Sequence, residues 1–139
     1  MKHLFSICLI ALLSVAAYSQ TMFEITMQQA LAGDSKAQNN IAAYYKEGYY
    51  VKQDCNQAVY WYRKLAQQNA TVGMYGLGQC YATGCSVQQN LQTAANYILA
   101  AAQKGLKEAQ RTISYMYEKG IGVTQNRNTA QYWYNKANQ

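Results

Sequence analysis

Gly48-Tyr49-Tyr50-Val51-Lys52-Gln53-Asp54 returns as Gly84-Cys85-Ser86-Val87-Gln88-Gln89-Asn90, and again as Gly120-Ile121-Gly122-Val123-Thr124-Gln125-Asn126, at intervals of 36 residues with no insertion. Outward from these stretches the agreement continues. Tyr45, Tyr81 and Tyr117 precede the three glycines, Ala58, Ala94 and Ala130 follow the Asp/Asn, and Trp61, Tyr97 and Trp133 come next. A fixed period of roughly 20 to 50 residues marks a solenoid, in which each unit buries its apolar face only against its neighbours. The period therefore decides the architecture, an all-α stack, and leaves the chemistry open.

Each unit reads as two antiparallel helices. In the first, Ala37/Ile41/Tyr45, Gly73/Leu77/Tyr81 and Ala109/Ile113/Tyr117 recur at spacing four, which places them on one helical face. Beside them Ala42, Gly78 and Ser114 form a column of small residues that lets two helix axes approach. Gly48, Gly84 and Gly120 stop these helices, because glycine enters the left-handed conformation without a Cβ penalty. Asp54, Asn90 and Asn126 start the second helices as N-caps, with Gln57 placed to complete a capping box, and Asp34 caps an earlier first helix. The register extends back to Ile25, 36 residues before Trp61, so residues 23–32 are expected to form a lone second helix capping the N-terminal end.

The first residues read as a secretory leader. Lys2 and His3 precede an apolar run from Leu4 to Ala17, too short to span a membrane, and Ala17-Tyr18-Ser19 places cleavage after Ser19. The expected domains are a leader over 1–19 and a repeat domain over 20–139, with repeats at about 34–69, 70–105 and 106–139. The expected location is the periplasm or beyond, with no stable membrane span after cleavage. Loss of Lys2 lowers the net charge from +6 to +5. The basic residues are scattered, which argues against a nucleic-acid partner.

These residues carry a resemblance. The pattern Ala-x3-Ile/Leu-small-x2-Tyr-x2-Gly-x-Gly-Val-x-Gln-Asp/Asn-x3-Ala-x2-Trp-Tyr-x2-Ala resembles the Sel-one-like repeat, a relative of the tetratricopeptide repeat. It covers about residues 34–139, and the third repeat matches best. Tyr50 and Ser86 depart from it by replacing the second glycine of the turn, so those two loops are expected to be tighter or differently bent. The resemblance implies a right-handed superhelix of helix pairs that serves as a protein-interaction scaffold, with no catalytic residue.

Cys55, Cys80 and Cys85 remain after cleavage, an odd number for an oxidising compartment. The Cys80 column holds Tyr44 and Met116 elsewhere, and the Cys85 column holds Tyr49 and Ile121. Both columns change to cysteine in one repeat, which favours a Cys80–Cys85 staple. Cys55–Cys85 and Cys55–Cys80 are its rivals. The lone histidine, His3, leaves with the leader, so no cysteine nucleophile would have a histidine base, and three cysteines fall short of a zinc site. No catalytic, metal or cofactor residue is expected.

Two columns on the first helices, Asn39/Tyr75/Arg111 and Ala43/Gln79/Tyr115, project away from the packed stripe. In a superhelix of this kind they face the concave groove. Tyrosine and arginine there suit partner recognition, and Asn39, Tyr75, Gln79, Arg111 and Tyr115 are the candidate partner-binding residues. The function expected is an exported, non-catalytic scaffold binding a protein or peptide. The alternative is an envelope protein binding or acting on a cell-wall glycopeptide, and a third is a toxin-neutralising partner.

Overall fold

The computed structural model describes residues 2–139, with side chains described at Val15 and from Ala17 onward. Seven helices follow one another: α1 (Lys2–Leu31), α2 (Ser35–Glu47), α3 (Cys55–Gln67), α4 (Thr71–Thr83), α5 (Leu91–Gln103), α6 (Lys107–Lys119) and α7 (Arg127–Ala137). Each packs against its neighbours in the chain. The pairs α2/α3, α4/α5 and α6/α7 are the three repeats, and α1 caps the stack.

The helix ends obey local chemistry. Gly48, Gly84 and Gly120 all adopt left-handed backbone, and each N–H donates to the carbonyl four residues back, on Tyr44, Cys80 and Met116. Asp34 accepts from the Ala37 N–H, Asp54 from those of Asn56 and Gln57, Asn90 from Thr93, and Asn126 from Thr129. The expected capping box at Gln57 is not made. The Asp54 N–H that it would have bound donates instead to the Tyr45 carbonyl at 2.9 Å, and Asn90 and Asn126 bond Tyr81 and Tyr117 in the same way.

A second bond pins each turn. The side-chain amides of Gln53, Gln89 and Gln125 donate to the carbonyls of Lys46, Ala82 and Glu118, each at 2.8 Å. They satisfy carbonyls in the last turn of the first helix, which have no intrahelical partner. This fixed loop overrides the residue type at its second position. Tyr50 (φ 62°), Ser86 (φ 57°) and Gly122 (φ 66°) share one left-handed conformation. The expectation that the first two loops would bend differently is therefore corrected.

Close approach depends on small residues. A Cβ on Gly78 would lie 2.6 Å from Ile98 Cγ1, and Ser114, in the same column, donates its hydroxyl to the Ala130 carbonyl at 2.7 Å. Most of the buried apolar residues fall into two clusters. One runs from Ala30 through Trp61 and Leu65 to Leu77 and Cys80. The other runs from Ala95 and Ile98 through Ile113 to Trp133.

The cap differs from expectation in length and in face. α1 runs unbroken from Lys2 to Leu31, so residues 2–19 of the expected leader (1–19) lie within the same helix; Met1 and the side chains of 2–14 and 16 are outside the described residues. Thr26 and Ala30 are buried, but Ile25 is 46 % exposed although its counterpart Trp61 is buried. Tyr97, the equivalent of Trp61 in the second repeat, stacks on Tyr81 of the first helix of its own repeat. Among the described helices α1 packs chiefly on α2 and has no first helix of its own, so the Ile25 side of α1 stays open.

Candidate functional site

The cysteines come together differently from expectation. Cys55, the first residue of α3, is bonded to Cys85, in the turn after α4, with Cα atoms 5.3 Å apart. The Cys80–Cys85 staple is therefore corrected to a Cys55–Cys85 bridge between repeats 1 and 2. Cys80 points into the core and is a free, buried thiol. Burial pushes its pKa up, opposed by the charges of Lys46 and Arg63.

The pairing has a reason in the repeat geometry. Residues 85, 86, 121 and 122 lie over the start of the preceding second helix. The Ser86 hydroxyl bonds the Asn56 amide oxygen, and a Cβ on Gly122 would strike the Leu91 carbonyl and come within 3.0 Å of Gln92 N. Leu91 and Ile121 hold the places at the second junction that Cys55 and Cys85 hold at the first. The contact was a junction between repeats, not a staple within one.

The five candidate partner-binding residues fall on the side formed by the first helices, in two groups. Asn39, Tyr75 and Gln79 line a cleft of about 340 Å³ with Val72, Leu106 and Glu108. All three are half-buried. Gln79 accepts from the Lys46 ammonium at 2.9 Å, and the Tyr75 hydroxyl shares a 3.1 Å bond with Thr112. These two bonds link α2 to α4 and α4 to α6. Arg111 and Tyr115 lie outside that cleft and are exposed, with the Lys119 ammonium 5.9 Å from the Tyr115 ring centroid. The structure thus gives a cleft of mixed polar and apolar lining and a separate aromatic-basic patch on one side of the stack.

What such a site can do is limited by its groups. The cleft offers two amides, two tyrosines, one carboxylate and the apolar Val72 and Leu106, suited to hydrogen bonding and apolar contact with an extended or helical chain. Among the described residues no cluster of His, Cys, Asp or Glu is arranged to hold a metal. No described helix is long and apolar enough to cross a membrane.

The comparisons meet the same features. The family model for the Sel1 repeat matches three times, over residues 35–69, 71–106 and 107–139. The chain belongs to the Sel1 repeat family. Among curated relatives, chitin synthase regulatory factor 3 of Schizosaccharomyces pombe is 31 % identical over 126 residues, covering 88 % of this chain and 14 % of that protein. Chitin synthase regulator SKT5 of Saccharomyces cerevisiae is 33 % identical over 117 residues, covering 82 % of this chain and 17 % of its own length. The Sel1 chain thus spans less than a fifth of either fungal relative. A Sel1 repeat protein from Oxalobacter formigenes superposes with a TM-score of 0.75 at 28 % identity, over 83 % of this chain and 88 % of that one. A protective antigen of uropathogenic Escherichia coli with an SLR fold gives 0.76 at 34 % identity, over 84 % of this chain and 25 % of that one. Helical repeats of this family generally mediate protein interactions.

Proposed function

We propose that the protein is an exported, non-catalytic scaffold that binds a protein or peptide partner along the side formed by its first helices. One observation carries this reading: Asn39, Tyr75 and Gln79 line one cleft, beside an exposed Arg111 and Tyr115 on the next first helix. Aromatic and arginine anchors contribute most of the energy of typical interfaces. The two fungal relatives are named as regulators of chitin synthase, which supports a binding role. No observation on the described residues favours a cell-wall glycopeptide.

Export rests on the leader-like start and on register. Ser19 lies 36 residues before Cys55, where α3 begins. Cleavage after Ser19 would leave a cap helix starting where the repeat starts its other second helices. N-terminal sequencing of protein recovered from the extracytoplasmic fraction should begin at Gln20; a start at Met1 would remove the cleavage after Ser19, and absence of the protein from that fraction would remove export from the reading.

The binding side is tested with Arg111→Ala/Tyr115→Ala. Both side chains are exposed, so folding should change by no more than about 0.5 kcal/mol per site. Partners captured by the parent protein should be lost by the variant. Unchanged capture by a variant that melts normally would move the binding site elsewhere. Tyr75 is spared in this test because its hydroxyl is bonded to Thr112.

A further inference from the structure

On the other side of the stack, where the second helices lie, the junction between repeats 1 and 2 departs from its neighbours at four positions together. In repeats 1 and 3 a buried tryptophan is covered by a lysine. Lys64 Nζ lies 5.2 Å from the Trp61 ring centroid and Lys136 Nζ 5.4 Å from that of Trp133. In repeat 2 these positions are Tyr97 and Ala100. Below them, Gln38 and Gln110 each donate an amide to a backbone carbonyl, of Ala30 and Ala102, at 3.1 Å. Their counterpart is Met74. On the facing second helix the wall residue is Met27 at the first junction and Leu99 at the last, but Arg63 here.

The four changes meet in space. Arg63, Ala66, Met74, Leu77, Tyr97 and Ala100 line a crevice of about 400 Å³ between α3, α4 and α5. That volume lies within the span of about 300–1,000 Å³ usual for ligand sites. Tyr97 does not fill it, because its ring is drawn against Tyr81, stacked with centroids 5.7 Å apart. Arg63 forms no ion pair among the described residues, where the pairs are Lys46–Glu47 and Lys119–Glu118. The crevice therefore lacks the ring and the cation that close the same place in the other repeats, and gains a guanidinium at its rim.

We propose that this crevice takes a ring-sized apolar side chain from an acidic segment of a protein partner, with Arg63 meeting the neighbouring carboxylate. The apolar floor calls for a group shaped like the missing indole. The guanidinium, without an ion-pair partner among the described residues, and a net charge of +6, or +5 without the leader, call for an acidic flank. This surface is separate from the first-helix cleft, so the proposal goes beyond the function above and can fail independently of it.

The test uses a fluorescently labelled peptide with one phenylalanine between aspartates, titrated by anisotropy against the full chain. Two control peptides carry alanine for phenylalanine or lysine for the aspartates. The parent peptide should bind, and each control at least tenfold more weakly. Tyr97→Trp/Ala100→Lys restores the residues of repeats 1 and 3 and should close the crevice, weakening the parent peptide at least tenfold. Arg63→Gln should remove the preference for the acidic peptide over its lysine version. If the double variant does not melt cooperatively, Ala100→Lys alone serves the same purpose. Absence of binding by the parent peptide would overturn the proposal, as would undiminished binding to the closed variant. Equal affinity for free 4-phenylbutyrate would overturn the peptide occupant in favour of a small carboxylic acid.

Discussion

Removing the Cys55–Cys85 bridge is the perturbation with the largest calculable effect. The bridge closes a loop of 30 residues. In the chain-entropy account a loop of that size restricts the unfolded chain by about 3.6 kcal/mol at 25 °C. The folded repeats have an unfolding entropy near 2 cal/mol/K per residue, so this corresponds to a drop of roughly 14 °C in melting midpoint. Native losses should be small, because the second junction is closed without a disulfide, with Leu91 and Ile121 in the equivalent places. Thermal melts would compare the oxidised protein, the protein with reductant, Cys55→Ala/Cys85→Ala, and Cys80→Ala. The first should be much the most stable of the first three, and Cys80→Ala should keep its sensitivity to reductant. Oxidised and reduced forms melting together would refute the reasoning. So would a Cys80→Ala protein indifferent to reductant, since Cys80 would then be a bridge partner.

Gly122→Ala should destabilise by about 2 kcal/mol, because it adds a side chain at φ 66° and drives a Cβ into the Leu91 carbonyl; urea titration would measure it, and an unchanged midpoint would mean that this turn does not lie on α5. The Cys80 thiol should resist iodoacetamide in the native protein and react after denaturation, as mass spectrometry of the alkylated chain would show. Because burial raises its pKa in the folded state, its contribution to stability is complete below the ordinary thiol value of about 8.5 and falls as pH rises further. Cys80→Ala should therefore flatten the alkaline limb of a stability-versus-pH curve.

The parts of the fold that were legible in the sequence are those decided within a few residues. A glycine three places after Tyr45, Tyr81 and Tyr117 must end a helix, and an Asp or Asn six residues later must start one, whatever surrounds them. The repeating Gln53, Gln89 and Gln125 carried a readable signal as well, but their bond reaches back seven residues to a carbonyl and only the folded turn shows it. The disulfide was misread because column changes in one repeat suggested a pairing inside that repeat. What decides the pairing is that the turn of one repeat lies over the second helix of the previous one. The left-handed backbone at Tyr50 and Ser86 escaped for a related reason: the pinned loop, rather than the residue, sets the conformation. Of the candidate site, the sequence placed five residues on one side of the stack. It could not show that Tyr75 and Gln79 are partly consumed in tying first helices to one another. The crevice at Tyr97 and Ala100 was readable as a departure from period, yet its volume depends on how three helices meet.

The two buried clusters do not respect the repeats. Among their fully buried members the division falls between α4 and α5, inside the second repeat, although Tyr97 packs on the first cluster and Met74 and Tyr75 on the second; the disulfide ties only elements of the first cluster. In a stack held by nearest-neighbour contacts, opening proceeds in cooperative blocks. The blocks here would be α1–α4, clamped by a covalent bond, and α5–α7, which has none. Native-state hydrogen exchange would then show amides of Ile113 and Trp133 released ahead of those of Ile41 and Leu65, so that the chain comes apart from its C-terminal end along a boundary that the 36-residue period does not mark.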